Sequence, residues 1–184
     1  MKRVILAAVT LISVAFVGNA NAQTGNTDNV TVNIKLKPIH TLVVNPSQKI
    51  VDLVYTTEAQ YNSGVFVEEQ DHLKIFSTGA FEIKVRTGGN FESNPSGESI
   101  EASTVKVTST AGTTKPSANA SYGEKALSNT DQQIVSNTTG GRDLTVNVKY
   151  TGAGNDAYIN KFSKGRGTEE NVFTAQVTYT ILAL

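Results

Sequence analysis

The residues of this chain that could carry out chemistry are few and lie far apart. His40 and His72 are its only histidines, and their separation is not a metal-ligand spacing. The stretch Glu68–His72 groups three carboxylates with an imidazole, and Ca²⁺ would need several such oxygens converging on one point. A solvated loop leading into a strand explains this group better. We therefore predict no metal site and no cofactor.

Two glycine-containing stretches match functional loops only in part. Gly152–Asp156 has the small residues of a phosphate- or cation-binding loop, but it lacks the lysine and the following helix. A hairpin turn accounts for it. Ser163–Gly167 is basic but has no interleaved aromatic residues, so we expect no nucleic-acid binding. No Ser, His and Asp set shares a local context, and we assign no catalytic residue and predict that the protein is not an enzyme.

The elements that position side chains are easier to identify, and the clearest is the final stretch, Asn171–Leu184. Polar residues alternate there with apolar ones, which predicts an amphipathic strand with one buried face. Threonine, valine and aromatic residues also suit a pleated sheet. The apolar positions are Phe173, Ala175, Val177, Tyr179 and Ile181.

A second amphipathic strand is predicted near the start of the chain. Its polar positions include two lysines, and Pro38 ends its ladder because proline has no N–H to donate. The preceding residues 23–29 have nothing to bury and are expected to form a flexible arm. The apolar positions of this strand are Val30, Val32, Ile34 and Leu36.

Between these ends, short alternating runs are separated by turn residues. Ile50–Tyr55, Phe81–Arg86 and Leu144–Tyr150 are the most regular of them, and no helical period exceeds one or two turns. Residues 108–129 are rich in Ser, Thr, Ala and Gly, which predicts a long surface loop with at most one short strand. The pattern predicts an all-β fold: a single domain, residues 30–184, folded as an immunoglobulin-like antiparallel β-sandwich of about seven to nine strands.

The first 22 residues have the features of a secretory signal peptide. Lys2 and Arg3 precede an apolar run, and small residues surround the expected cleavage after Ala22. The chain has 16 basic and 16 acidic side chains, two of the basic ones in the leader, so the exported form would carry a net charge of −2. It has no cysteine and hence no disulfide. We expect an exported protein, at the cell surface or outside the cell, with no membrane span in its mature part and no affinity for nucleic acid.

The two terminal strands together resemble those of fimbrial subunits of the chaperone–usher kind. The closer likeness is to class 5 pilins of the alternate chaperone pathway, which also lack cysteine. Those pilins begin with an Asn-Val-Thr-Val-like strand that closes on a proline, as Asn29–Pro38 does here, and they end in an alternating strand like Phe173–Ile181. The likeness covers both ends of the chain, and the middle only as many short strands.

This resemblance implies an incomplete sandwich that accepts a strand from a neighbouring subunit. The donated residues would be Val30, Val32, Ile34 and Leu36, and the accepting side would carry Phe173, Ala175, Val177 and Tyr179. The expected partners are other copies of the chain or related subunits, and a periplasmic chaperone. The expected role is that of a structural or adhesive subunit of a fimbrium at the bacterial surface.

Three alternatives stay open at this point. Val30–Leu36 could be the first strand of a self-complete sandwich, paired within its own chain. The protein could be a self-contained extracellular module that binds glycans or proteins, although it has no Trp and only Tyr61, Tyr122 and Tyr158 fall in loop-like stretches. A secreted hydrolase is the third alternative, and no acid–base pair with local context favours it.

Overall fold

The structure is a computed structural model, and it describes residues 25–93, 97–161 and 170–184. The chain divides into two units, residues 1–35 and residues 36–184. In the first unit the described residues, 25–35, contain neither helix nor strand and are all exposed. The predicted signal peptide and the basic stretch Ser163–Gly167 lie outside the described residues.

The second unit is built almost entirely from antiparallel strands. A six-residue helix, α1 (Glu58–Ser63), and two 3₁₀ turns, Pro46–Gln48 and Ala102–Thr104, connect some of them. The described residues contain twelve strands: β1 (His40–Val44), β2 (Phe66–Ser77), β3 (Phe81–Thr87), β4 (Phe91–Ser93), β5 (Ser99–Ile100), β6 (Lys106–Ala111), β7 (Ala120–Tyr122), β8 (Glu124–Ala126), β9 (Gln132–Asn137), β10 (Gly141–Thr151), β11 (Phe173–Thr174) and β12 (Val177–Ala183).

The strands form two main sheets and a small one. The five-stranded sheet has the order β1-β2-β10-β6-β8, the four-stranded sheet has the order β12-β3-β9-β7, and the small sheet has the order β11-β4-β5. All these pairs are antiparallel, with Val44 opposite Leu73 in the first sheet and Tyr179 opposite Val85 in the second. The fold is therefore all-β and sandwich-like, as the sequence predicted.

One hydrophobic core lies between the two main sheets. Because side chains alternate along a strand, every second residue of the central strands points into it. Phe81, Ile83 and Val85 of β3 are at most 1% exposed. The other contributors share this near-complete burial and come from both sheets: Leu73, Ile75, Val107, Val146 and Val148 from the five-stranded one, and Ile134 and Val135 from the four-stranded one.

Six strands of the two main sheets follow the order of an immunoglobulin-type sandwich, and β7, β8 and β9 extend the sheets beyond that order. Such a sandwich has strands A, B, E and D in one sheet and C, F and G in the other. Here β1, β2, β10 and β6 take the places of A, B, E and D, and β3 and β12 take those of C and F. No described strand takes the place of G, beyond β12. The four-stranded sheet therefore ends at the strand that G would cover.

The course of the chain brings several strand ends together at one end of the sandwich. Residues 78–80 connect β2 to β3 there, and β1 begins there because His40 pairs with Ser77. The last strand, β12, ends there because Ala183 pairs with Phe81. Cα atoms of β1 and β12 come within 8 Å of each other, so the two sheets approach closely along this side.

The structure differs from the sequence prediction in three stretches. Residues 66–77 form one long strand, where a loop was predicted over Glu68–His72. Residues 108–129 were predicted to form a long loop, but they contain the end of β6 and the short strands β7 and β8. Tyr158–Phe162 was predicted as an edge strand, but its described residues up to Asn160 form turns. Pairing with distant strands decides the first two stretches, and local alternation does not reveal such pairing.

Candidate functional site

The outer edge of β12 is the candidate site, and we call it the open edge. On its other side β12 pairs with β3 along its whole length, but no described strand pairs with this outer edge. The inward side chains of Val177, Tyr179 and Ile181 are only half-buried, whereas those of the neighbouring strand β3 are fully buried. The core is therefore incompletely covered at this strand.

The predicted terminal strand is present but interrupted. Phe173 belongs to β11 and pairs with Ser93 in the small sheet, and Ala175 lies between β11 and β12. The prediction of one continuous strand was therefore wrong, since the chain changes sheets at Ala175. Of the four residues predicted to line the accepting side, Val177 and Tyr179 lie on the open edge. All four are half-buried and alternate with exposed residues, as the period of two predicted.

The open edge also lacks the features that usually protect an edge strand. Proteins cover such edges with charges, prolines, bulges or very short strands. The edge strand β8 of the other sheet has three residues, two of them charged, and its Glu124 pairs with Lys106 at 3.1 Å. In contrast, β12 has seven residues without charge, proline or glycine. No described strand uses its outer backbone groups, and its side chains do nothing to repel an added strand.

A second stretch of extended backbone packs on the same core, and we call residues 49–56 the facing segment. Its side chains alternate, with Val51, Leu53 and Tyr55 half-buried and Ile50 and Val54 exposed. The predicted alternation over Ile50–Tyr55 is therefore confirmed, but the segment forms no ladder. Within the described parts of the chain, residues 50–55 make no backbone–backbone hydrogen bond.

Side-chain hydrogen bonds hold the facing segment at both of its ends. Immediately before the segment, the Gln48 Nε2 donates to the Gln70 carbonyl at 3.0 Å. At the end, the Tyr55 hydroxyl donates to the Ala153 carbonyl at 2.8 Å. A Cβ at Gly152 would come within 2.3 Å of that hydroxyl, so only glycine leaves room for it. The segment is thereby held in place, although its residues 50–55 make no backbone–backbone hydrogen bond with any described residue.

Tyr55 belongs to a cluster of three tyrosines. Its ring lies 5.3 Å from that of Tyr61 and 5.1 Å from that of Tyr158, and burial raises its pKa to about 12. The Tyr158 hydroxyl also donates to Thr104 Oγ1 at 2.9 Å. Tyr61, Tyr122 and Tyr158, the tyrosines that the sequence placed in loop-like stretches, are half-buried. Tyr158 anchors local structure here.

A buried chain of hydrogen bonds links the open edge to the opposite sheet. The Gln48 amide is oriented by its bond to Gln70, so its Oε1 accepts a hydrogen from His72 Nδ1 at 3.1 Å. His72 Nε2 then accepts from the Tyr150 hydroxyl at 2.9 Å, and Tyr150 Oη accepts from the Tyr179 hydroxyl at 2.5 Å. This arrangement requires a neutral His72.

The pKa values of this chain of groups shift in the direction that burial predicts. Burial lowers the pKa of His72 to about 4 and raises that of Tyr150 to about 12. Burial also raises the pKa of Tyr179 well above its usual value, with the neighbouring Tyr150 adding to the shift. Because all three groups are neutral near pH 7, they join β2, β10 and β12 by uncharged hydrogen bonds.

The four predicted donor residues are the most exposed of the large apolar side chains in the described residues. Val30, Val32, Ile34 and Leu36 are between 81% and 88% exposed. The strand predicted over them is not formed in the single chain, since residues 29–39 contain no described strand. A strand forms only when its backbone N–H and C=O groups find hydrogen-bond partners in another strand. This exposed segment has the alternating side chains of a strand, but its backbone has no neighbouring strand among the described residues.

In the acidic stretch Glu68–His72, the carboxylate of Asp71 has a structural role. Asp71 has a positive φ of 50°, and the pairing of β2 with β10 shifts register beside it. Its carboxylate accepts from the backbone N–H of Thr113 at 2.7 Å and of Thr114 at 3.1 Å, which fixes residues 112–115, here called the strap. The hydroxyl and N–H of Thr114 lower the Asp71 pKa to about 2.

The remaining predicted positions are accounted for by local structure. His40 pairs through Nδ1 with the hydroxyl of Ser77 at 2.9 Å. Gly152–Asp156 connects β10 to the turns that follow, and Asn155 donates its N–H to the Asn62 carbonyl at 2.7 Å. Among residues 25–93, 97–161 and 170–184, no three His, Asp or Glu side chains converge so that they could hold a metal ion.

No family model matches the chain, and no curated protein matches it significantly in sequence. In the part of the chain that the structure describes, no helix combines the length and apolarity that crossing a bilayer requires. The function must therefore be argued from the open edge and the exposed donor residues.

Proposed function

We propose that the protein is an exported structural or adhesive subunit that joins other copies of itself, or related subunits, by strand addition. Residues 30–36, here called the donor segment, would pair with the open edge of a neighbouring chain. The observation that carries the proposal is that one chain combines an exposed, alternating apolar segment with a long, uncharged, half-covered edge strand. The segment lacks a strand to pair with and the edge lacks a strand to cover it, so each would supply what the other lacks.

The physical fit of the two parts is specific. An added strand supplies main-chain hydrogen bonds to an edge and side chains to alternate pockets. The donor segment has apolar residues at every second position, and the open edge has half-buried apolar residues with the same period. Burying four such donor side chains contributes on the order of 6–10 kcal/mol before the costs of association. That amount supports pairing without a covalent link.

The proposal includes the secretory route and the assembly partners that the sequence suggested. A signal peptide over residues 1–22 would export the chain, and a periplasmic chaperone would cover the open edge before assembly. A donor on one chain and an acceptor on the next gives a head-to-tail contact, which forms a filament when it does not close into a ring. This contact is the basis for proposing a fimbrial subunit at the bacterial surface.

Deletion of residues 23–37 tests the proposal first. The buried core lies entirely between Leu73 and Tyr150, so the shortened chain should fold with an unchanged far-ultraviolet spectrum. It should be monomeric by size-exclusion chromatography with light scattering, while the chain from Gln23 onward assembles. Unfolding of the shortened chain would show that the donor segment belongs to its own sandwich, and the proposal would fail.

A synthetic peptide of residues 29–38 provides the second test. It should bind the shortened chain and raise its thermal midpoint, because a ligand that binds only the folded state stabilises it. A matched peptide with Ile34→Asp should bind at least about 100-fold more weakly, since it would bury a charge in an apolar site. Equal binding of the two peptides would exclude insertion of the apolar side chains.

A further inference from the structure

We propose that residues Lys37–Ile39 prevent the donor segment from closing on its own chain, so that strand donation takes place between two copies. This inference rests on the proposed function and identifies the partner as a second copy. Three observations support the inference: β1 begins directly after these residues, the side chains of β1 alternate between a solvent face and a core face, and Lys37–Ile39 are the residues available for a turn.

The chain is fixed immediately after the donor segment. The Ile39 N–H donates to Thr78 Oγ1 at 2.9 Å, and the Ile39 carbonyl accepts from the Thr78 N–H at 3.0 Å. From His40 onward β1 pairs with β2, so its other edge is the one nearest β12. To reach its own open edge, the donor segment would have to reverse within the three residues 37–39 and lie along β1.

A two-residue reversal would place the donor side chains on the wrong face. Such a loop, formed by Lys37 and Pro38, would set Leu36 opposite Ile39, and opposite residues of an antiparallel pair share a face. Ile39 is 51% exposed and Val43 is 52% exposed, so this face points to solvent. All the apolar donor side chains would therefore point away from the core, because a slip of one residue inverts a strand's faces.

A three-residue reversal would place the side chains correctly, but its residues do not suit the turn. It would set Leu36 opposite His40, on the half-buried face. The usual three-residue loop is a type I turn followed by a residue in the left-handed region. Pro38 would be at position i+2 of the type I turn, where proline is disfavoured. Ile39 would need the left-handed conformation, which is an outlier for a β-branched residue.

The remaining routes are also unfavourable. A longer loop would take residues from the donor segment itself, beginning with Leu36. Any reversal at this end of the sandwich would also run the donor segment parallel to β12, because β12 ends where β1 begins. Every strand pair of the described sheets is antiparallel, and parallel pairing is slightly weaker per residue. A donor from a second copy is subject to neither constraint.

The test replaces both unfavourable turn residues in the chain from Gln23 onward. The double variant Pro38→Asp with Ile39→Gly permits the three-residue turn, so the donor segment should fill its own open edge. We expect a monomer at concentrations where the parent chain assembles. The reference for peptide binding is the chain from Gln23 onward with Ile34→Asp, whose charged donor segment should leave it monomeric with an empty edge. We expect the double variant to bind the 29–38 peptide at least tenfold more weakly than this reference chain. A chain that has merely lost assembly would still bind the peptide.

Two control variants separate closure from damage to the edge. Lys37→Asn with Pro38→Gly permits only the two-residue turn and should assemble like the parent chain, because its donor side chains would point outward. Adding Ile34→Asp to the Pro38→Asp, Ile39→Gly chain should restore peptide binding, because a charged donor cannot remain in the edge. Failure of that restoration would refute the inference, as the edge itself would be damaged.

The other outcomes distinguish this inference from the proposed function. The inference is refuted if the Pro38→Asp, Ile39→Gly chain assembles like the parent chain and binds the peptide like the Ile34→Asp chain. Lys37–Ile39 would then not be the barrier to closure. The proposed function would then stand. If the parent chain neither assembles nor supports peptide binding in its Ile34→Asp form, the proposed function fails, and the inference fails with it.

Discussion

Acidification should destabilise this protein through a single buried histidine. His72 is 1% exposed, and both of its ring nitrogens are engaged, Nδ1 as the donor to Gln48 and Nε2 as the acceptor from Tyr150. A proton added to Nε2 would meet the hydroxyl hydrogen of Tyr150. The bond between them would be lost unless that hydroxyl turned away, and its link to Tyr179 would then also change.

The magnitude follows from the difference in pKa between the unfolded and folded chains. Burial lowers the pKa of His72 from 6.5 to about 4. Above pH 6.5 neither state is protonated and stability is complete; as the pH falls from 6.5 towards 4, only the unfolded chain takes up the proton. The loss should approach about 3 kcal/mol near pH 4, at about 1.4 kcal/mol per pH unit. That is a large fraction of the stability of a typical domain.

Urea unfolding at intervals between pH 7.5 and pH 4 would measure this loss. The variant His72→Gln lacks the titrating ring, so its free energy of unfolding should fall by about 3 kcal/mol less than that of the parent over this range. His40→Gln is the matched control, and its profile should still contain the loss that His72 causes, because it leaves His72 intact. Parallel pH profiles for the parent and His72→Gln would refute the argument that His72 is kept neutral by burial.

Three further predictions concern local structure and can be checked by thermal or urea unfolding. Asp71→Asn should cost about 1–3 kcal/mol and speed amide hydrogen exchange in the strap, because the strap loses a charged acceptor; unchanged exchange would contradict this. Gly152→Ala should cost about 1–3 kcal/mol by displacing the Tyr55 hydroxyl, and Tyr55→Phe should remove part of that penalty. Phe81→Ala should cost about 3–5 kcal/mol, whereas Ile50→Ala, at an 80% exposed position, should stay within about 0.5 kcal/mol.

The alternating stretches were the predictable part of this fold. The period of two over Ile50–Tyr55 and over Phe173–Tyr179 matches the observed half-buried and exposed positions, and it ends at Thr180, which is half-buried as well. The match arises because alternation depends only on which side chains prefer the core. The same reasoning correctly predicted an all-β sandwich. It did not show that the terminal stretch changes sheets at Ala175, since this depends on the pairing of Phe173 with Ser93.

Other features depend on contacts between residues distant in sequence, and the sequence pattern could not reveal them. Glu68–His72 reads as a polar loop, yet it continues a strand, because β10 pairs beside it and Asp71 bends the backbone at a register shift. His72 gave no local sign of burial, since its partners Tyr150 and Tyr179 come from the far end of the chain. The empty position beside β12 could be recognised only once the order of the strands was known.

Each chain has one donor segment and one open edge, which has a consequence for the shape of any assembly. Under the proposed pairing, a copy can contact two neighbours and no more, so growth cannot branch. One end of the series would always present a bare strand edge and the other an unused apolar segment. The two ends are thus chemically distinct, and different molecules would be required to begin the series and to stop it.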